Sequence, residues 1–240
     1  MGKWKQVQRY AKHISFPLKH YARNKDSATY ILVLDATFTK IKGEDRAVMI
    51  AYDTGIGVVD YFIDNTENAT AYSLIFQNLS QAGYHPICVV SDGHDSILSL
   101  IKERNLPHQR CVFHLLQELR RKLSKGNENE LCGKNRILYS RIKGIFKTRK
   151  IENLPMRVNK FRLKTAPLFH DKAGILRWFW KVLPNAVLHL SYTEKVPNTT
   201  NCLENLNSQI KQRIKTTRGM KSERSLDNLL KILFYFRNYK

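Results

Sequence analysis

No apolar run in this 240-residue sequence reaches the roughly 18 residues that a membrane-spanning helix needs, which excludes an integral helical membrane protein. Residues 1–16 are polar and basic and contain no apolar h-region, so they do not read as a secretory signal. Cysteine is sparse. Cys88, Cys111, Cys132 and Cys202 are too few and too scattered for a disulfide framework, and a reducing, intracellular setting is expected. Internal repeats and low-complexity tracts are lacking. Acidic residues are also scarce, at 20 against 41 Lys and Arg, a net charge of +21. That excess favours a polyanionic partner, most simply nucleic acid, although a ribosomal or membrane-surface protein would share the same total.

The distribution of charge says more than the sum. Residues 30–95 hold 3 basic and 9 acidic residues, a net of −6. Residues 1–29 have a net of +6, residues 115–165 of +11 and residues 205–240 of +7. An acidic segment framed by basic ones suits a metal site in a nucleic-acid groove, where carboxylates hold cations and Lys/Arg neutralise phosphates. A basic surface around an ordinary core would give the same numbers.

The hydrophobic fraction, 42%, suffices for a buried core. Residues 30–37 form a nearly continuous apolar run that ends in a carboxylate and reads as a buried central strand. Arg46 to Asp53 and Ile56 to Ile63 read as two further strands, joined by short turns into an antiparallel meander. Asn68 to Gln81 has helical spacing and Pro86 to Ser91 reads as a fourth strand. A helix then runs to about Arg104, and His108 to Phe113 is a short fifth strand or the entry to the next helix. This order fits a mixed α/β sheet whose first and fourth strands are neighbours, placing Asp35 and Asp92 together at a sheet crevice. From Leu115 to about Leu190 strand signals fade and basic residues mix with helical spacing. Trp178, Phe179 and Trp180 form an aromatic cluster there, read as core packing with base stacking as the alternative. A long helix is expected from residues 198–201 to about Thr217, and an amphipathic one over Ser225 to Arg237.

Three carboxylates stand out. Asp35 and Asp92 each follow an apolar strand, and Glu204 lies in the first turn of a helix. Gathering three carboxylates is repulsive unless cations neutralise them. Mg²⁺ suits such oxygen ligands together with substrate phosphate, and two ions about 3.5–4 Å apart activate a hydroxyl or water and stabilise the leaving oxygen. Each residue alone has a structural alternative: a strand-end Asp can cap the next turn, and Asn201-x-x-Glu204 has the spacing of a capping box.

Four stretches in order resemble the DDE transposases with an RNase H-like catalytic domain, in particular the Mutator-type and related bacterial insertion-sequence group. They are Leu34-Asp35-Ala36-Thr37, Val90-Ser91-Asp92-Gly93, Gln109-Arg110-Cys111-Val112-Phe113-His114, and Thr199-Thr200-Asn201-Cys202-Leu203-Glu204-Asn205 followed by Lys211 and Arg213. The resemblance implies an RNase H-like mixed five-stranded sheet with a helical insertion between the second Asp and the Glu. Asp35, Asp92 and Glu204 would be the catalytic and metal-binding triad, with Mg²⁺ or Mn²⁺, as two ions, for cofactor. The parts would be a basic segment over 1–29, the first part of the core over 30–114, the basic insertion over 115–197 and the closing helices over 198–240. Element ends and target DNA are the implied partners, a homodimer or higher oligomer on DNA the implied assembly, and the bacterial cytoplasm or nucleoid the implied location. A transposase-derived DNA-binding protein and a stand-alone RNase H-like nuclease are the rival readings. Group members carry a sequence-specific DNA-binding region ahead of the catalytic domain. Only 29 residues precede the first strand here, so the chain reads as a fragment, a shortened protein or one half of a split gene.

Cys111 and His114 have the spacing to begin a zinc site, but no second pair with ligand spacing accompanies them. The resemblance implies a place beside the active site or the DNA ends; a buried Cys and a hydrogen-bonded His is the alternative. His94, close to Asp92 in sequence, reads as incidental, with an active-site neighbour as the alternative. On the helix after Glu204, Ser208, Lys211 and Lys215 fall near one face, either to follow a phosphate backbone or as a solvated basic face. The insertion's arginines and lysines are phosphate contacts as a group.

Overall fold

The computed structural model describes residues 6, 9–16, 30–124, 131, 133–193, 195–216 and 220–238. The chain divides into two compact units, one from Met1–Pro107 with Thr200–Lys240, the other His108–Thr199.

The first unit is built on a hairpin and a meander. Strand β1 (Ile31–Ile41) pairs antiparallel with β2 (Glu44–Asp53), in a register that runs from Leu32 opposite Asp53 to Ile41 opposite Glu44. The two-residue loop between them, Lys42 and Gly43, has positive φ at both positions, the geometry whose twist matches the flanking strands. Strand β3 (Gly57–Asp64) pairs antiparallel with β2, and β4 (Cys88–Ser91) pairs parallel with β1. With β5 (His108–Arg110) the sheet order is β3-β2-β1-β4-β5. This is the mixed five-stranded α/β sheet expected from the sequence, with the first and fourth strands side by side. Strand β1 is longer than its apolar run suggested. Pairing with β2 carries it on to Ile41, so Asp35 sits within the strand rather than at its end.

Helix α1 (Ala69–Gln81) starts at Asn68, whose side chain accepts from the Ala71 N–H at 2.8 Å. It packs Ala71, Tyr72, Ile75 and Leu79 into a core with Leu32, Leu34, Met49 and Val89. Helix α2 (Asp95–Glu103) adds Ile97, Leu100 and Ile101. The turn after β2 is held by Asp53. Its Oδ1 accepts from the Gly55 and Ile56 N–H groups at 2.7 and 2.9 Å, and its Oδ2 from the buried Tyr84 hydroxyl at 2.8 Å. The unit closes with α7 (Asn201–Thr216) and α8 (Glu223–Asn238).

The second unit is helical after β5: α3 (Val112–Leu123), α4 (Gly133–Ile145), α5 (Leu154–Lys164) and α6 (Ala173–Ala186), with short 3₁₀ segments between and after them. Leu119, Leu123, Leu138, Ile142, Phe161 and Phe179 form its core. Trp178 and Trp180 pack against that core, Trp180 edge-on to Phe161 at 5.7 Å between centroids and Trp178 under the Lys122 ammonium at 5.2 Å. The aromatic cluster is thus part of the packing, the first of its two readings. Among the described residues no helix is long and apolar enough to cross a membrane.

Asp60 on β3 carries a pH prediction. It is 2% exposed and accepts from Asn78 Nδ2 and the Tyr61 N–H, yet burial outweighs these bonds and raises its pKa from 3.8 to about 6. Below the unfolded value the carboxyl is protonated in both states and costs nothing. As pH rises through the window to about 6 the unfolded chain releases the proton first, and stability falls by up to about 3 kcal/mol. Asp60→Asn is expected to raise the thermal midpoint at neutral pH and leave it unchanged near pH 3.5; parallel melts at the two pH values check this.

Candidate active site

Strand β1 pairs with β2 from Leu32 to Ile41, while its other side pairs with β4 over Ile31 to Val33 and bridges Met220 at Ile41. Between those positions that side of β1 has no strand partner among the described residues. Val33 lies opposite Val90, and Asp35 and Asp92 each follow two residues after these last paired positions. The charges of both carboxylates act on the Tyr72 hydroxyl. Asp35 is buried. Asp92 is half-buried, and its Oδ1 accepts from the His94 N–H at 2.9 Å.

Helix α7 approaches the same strand. Its buried face carries Leu203, Leu206, Ile210 and Ile214, together with one amide, Asn207. Asn207 Nδ2 donates to Asp35 Oδ2 at 2.9 Å. Glu204 lies three residues earlier, about 4.5 Å along the helix axis. The capping-box alternative for Glu204 does not form. The helix begins at Asn201, the Thr200 carbonyl accepts from the Leu203 and Glu204 N–H groups, and Glu204 is therefore one position too late to bond back to the cap. Its Oε1 is instead buried without a hydrogen-bond partner among the described residues, an expensive state for a carboxylate oxygen. Among the described residues the three carboxylates do not gather as one group at ion-sharing distance.

Two further residues at this place were missed in the sequence. Glu67, just before α1, accepts from the Tyr72 hydroxyl at 2.9 Å, and its Oε1 lies 3.7 Å from His94 Nδ1. Burial pushes the Glu67 carboxyl up, offset by the Tyr72 bond and His94 and reinforced by the nearby Asp92 charge. The Tyr72 hydroxyl is held strongly protonated, first by burial and then by Glu67, Asp35 and Asp92. Nothing in the local sequence marks Glu67, which reaches the site only through the packing of α1. Asn207 did leave a signal: it is a polar residue on the apolar stripe of α7. Asn207→Leu removes the donor to a buried carboxylate and is expected to cost about 1–3 kcal/mol. Chemical denaturation checks it, and an unchanged midpoint would show that the bond contributes nothing.

Ser208, Lys211 and Lys215 share an exposed face of α7, and the Ser208 hydroxyl donates to the Glu204 carbonyl at 2.9 Å. Cys111 and His114 belong to the second unit. Cys111 is fully buried at the start of α3, and the His114 ring meets Phe113 edge-on at 5.5 Å. Gln109, in the same stretch, donates to the Ala186 carbonyl at 3.0 Å and accepts from the His189 N–H at 2.8 Å, tying β5 to the end of α6.

The family model of the Mutator-family transposases matches residues 5–239. The chain belongs to that family. It is 22% identical over 236 residues to the transposase of insertion sequence element IS905 from Lactococcus lactis subsp. lactis (strain IL1403), covering 92% of this chain and 57% of that protein. It is 23% identical over 220 residues to the transposase of IS256 in transposon Tn4001 from Staphylococcus aureus, covering 83% and 52%. The Mutator-family chain thus spans somewhat over half the length of these relatives. Among solved structures, the HTLV-2 integrase catalytic core domain in complex with magnesium overlaps 39% of this chain and 70% of its own, at 19% identity and a TM-score of 0.30. The simian T-cell lymphotropic virus intasome in complex with PP2A regulatory subunit B56 gamma overlaps 63% of this chain and 54% of its own, at 12% identity and a TM-score of 0.31.

Proposed function

We propose that this chain is the catalytic domain of an insertion-sequence transposase, which hydrolyses a phosphodiester bond at an element end and transfers the freed 3′-hydroxyl to target DNA. The observation that carries the reading is the Asn207 bond that ties the Glu204-bearing helix to Asp35, with the charges of Asp35 and Asp92 both acting on the Tyr72 hydroxyl. Family membership supports the same reading.

Carboxylate oxygens suit hard divalent cations such as Mg²⁺ or Mn²⁺, and Glu204 Oε1 is buried with no hydrogen-bond partner among the described residues. Asp35, Asp92 and Glu204 would hold the ions. Two such ions, when bound, would supply activation of the attacking water or hydroxyl and stabilisation of the leaving oxygen. The protein's own contributions are positional. Asn207 and the His94 N–H fix one oxygen each of Asp35 and Asp92. Lys211 and Lys215 extend from Glu204 along the exposed face of α7, where they neutralise a bound phosphate backbone. The partner is DNA, and the working form is a homodimer or larger, because two element ends must be held together.

The test is a labelled duplex with a plasmid target, incubated with the protein in Mn²⁺ or EDTA. Metal-dependent cutting with joined products supports the transposase. Cutting without joining supports a nuclease, and binding without cutting a DNA-binding derivative.

A further inference from the structure

The helical unit contains a feature that the proposed active site does not use. A groove of about 1100 Å³ lies between α4, α5 and the 3₁₀ segment Ala166–Lys172. That is at the upper end of the usual span of small-molecule clefts, about 300–1,000 Å³, and is roomy enough for a segment of polymer. Arg136, Arg141, Arg157, Lys160 and Lys164 line it, and no carboxylate is among its described lining residues. Between the cations stand apolar side chains left in water: Ile137 is 52% exposed, Met156 66% and Leu168 66%. Arg157 also donates to the Gly144 carbonyl at 2.8 Å, bracing α5 on α4.

We propose that this groove binds an unpaired DNA strand, with the phosphates on the cationic side chains and the base faces on Ile137, Met156 and Leu168. The proposal rests on the reading of the chain as a DNA-processing enzyme. Charge complementarity selects a polyanion, since five cations without a counter-carboxylate attract one electrostatically. The apolar floor selects the unpaired form. A duplex turns its bases inward and presents a charged ridge, which leaves exposed Met and Leu unsatisfied. An unpaired strand offers apolar base faces at the same spacing as its phosphates. An acidic amphipathic peptide matches the same chemistry less well, because its charges lie on one side only.

The experiment uses the whole chain and fluorescence anisotropy with a labelled oligothymidylate of about a dozen nucleotides and a hairpin duplex of similar length. Two double variants alter exposed positions: Met156→Ser with Leu168→Ser, and Arg136→Glu with Lys160→Glu. Unchanged melting temperatures establish that both remain folded. The floor variant is expected to weaken single-strand binding about fivefold or more and leave duplex binding alone. The charge variant is expected to weaken single-strand binding about tenfold or more and to flatten its salt dependence. Unchanged single-strand affinity in the floor variant overturns the proposal, and so does an acidic amphipathic peptide that binds the groove more tightly than the oligonucleotide. The metal-dependent cutting assay separates the two readings. Failed cutting with a responsive groove removes the catalytic reading alone, and intact cutting with a silent groove removes this inference alone.

Discussion

Asp35→Asn, Asp92→Asn and Glu204→Gln are each expected to lower metal-dependent strand cutting by about 10³-fold or more, with DNA binding retained. The substitutions keep shape and hydrogen bonding while removing one negative charge each. They therefore remove cation affinity without opening a cavity. The effects should not add: once one ligand is gone the site no longer functions as a unit, and a second loss changes little. Single-turnover cutting of a labelled element end, followed over a range of Mn²⁺ concentrations, provides the readout. Wild-type rates in any one of the three would remove that residue from the site. Glu67→Gln serves as the comparison. Glu67 touches Tyr72 and lies near His94, so its loss should alter the Mn²⁺ concentration needed for half-maximal rate more than the rate at saturation.

Gly57→Ala is expected to destabilise the first unit by about 2–4 kcal/mol. Gly57 opens β3 at φ +111°, a conformation L side chains rarely adopt, and a Cβ there would overlap the Asn238 side chain. Asn238 accepts from the Val58 N–H at 2.9 Å and donates to the Val58 carbonyl at 2.8 Å. The amide thereby occupies backbone groups on the outermost strand of the sheet, where an open edge invites pairing with other chains. An added methyl group must displace it, so the variant should lose both bonds as well as suffer backbone strain. A double-mutant cycle with Asn238→Ala separates the two costs. If the clash dominates, Gly57→Ala should cost much less in the Asn238→Ala background. Additive costs would assign the whole effect to the backbone. Exposure of the β3 edge should also make Asn238→Ala more prone to aggregate on heating, which light scattering during the melt detects.

Much of the architecture is legible in local pattern. The apolar run before Asp35, the two short turns and the helical spacing of Ala71, Ile75 and Leu79 specify elements through contacts between near neighbours. Asp35 and Asp92 stood out because each follows an apolar strand, and Glu204 because it lies in the first turn of a helix; the family resemblance joined the three as a candidate triad. Their partners were harder to see. Asn207 was visible in principle as an amide on the buried stripe of α7, but its bond to Asp35 spans 172 residues. Glu67 lies in a polar turn and carries no local mark at all. The capping reading of Glu204 failed by a single residue, because the helix starts after Thr200 rather than after Asn201. Helix starts are set by where the chain leaves its preceding contacts, which a short window cannot contain.

By itself the sequence determined the class of the sheet, the order of its strands and helices and the basic character of the helical segment. All of these follow from periodicity and composition. Only the tertiary structure decided how far β1 extends past Asp35, that parallel pairing with β4 stops at Val33, that Asn207 bonds Asp35, and that the Glu67–Tyr72 pair feels the Asp92 charge. It also decided that Asn238 seals the β3 edge and that exposed apolar side chains line a cationic groove. The physical reason is common to them all: each depends on groups far apart in the chain, whose meeting is fixed by packing and strand register rather than by residue type.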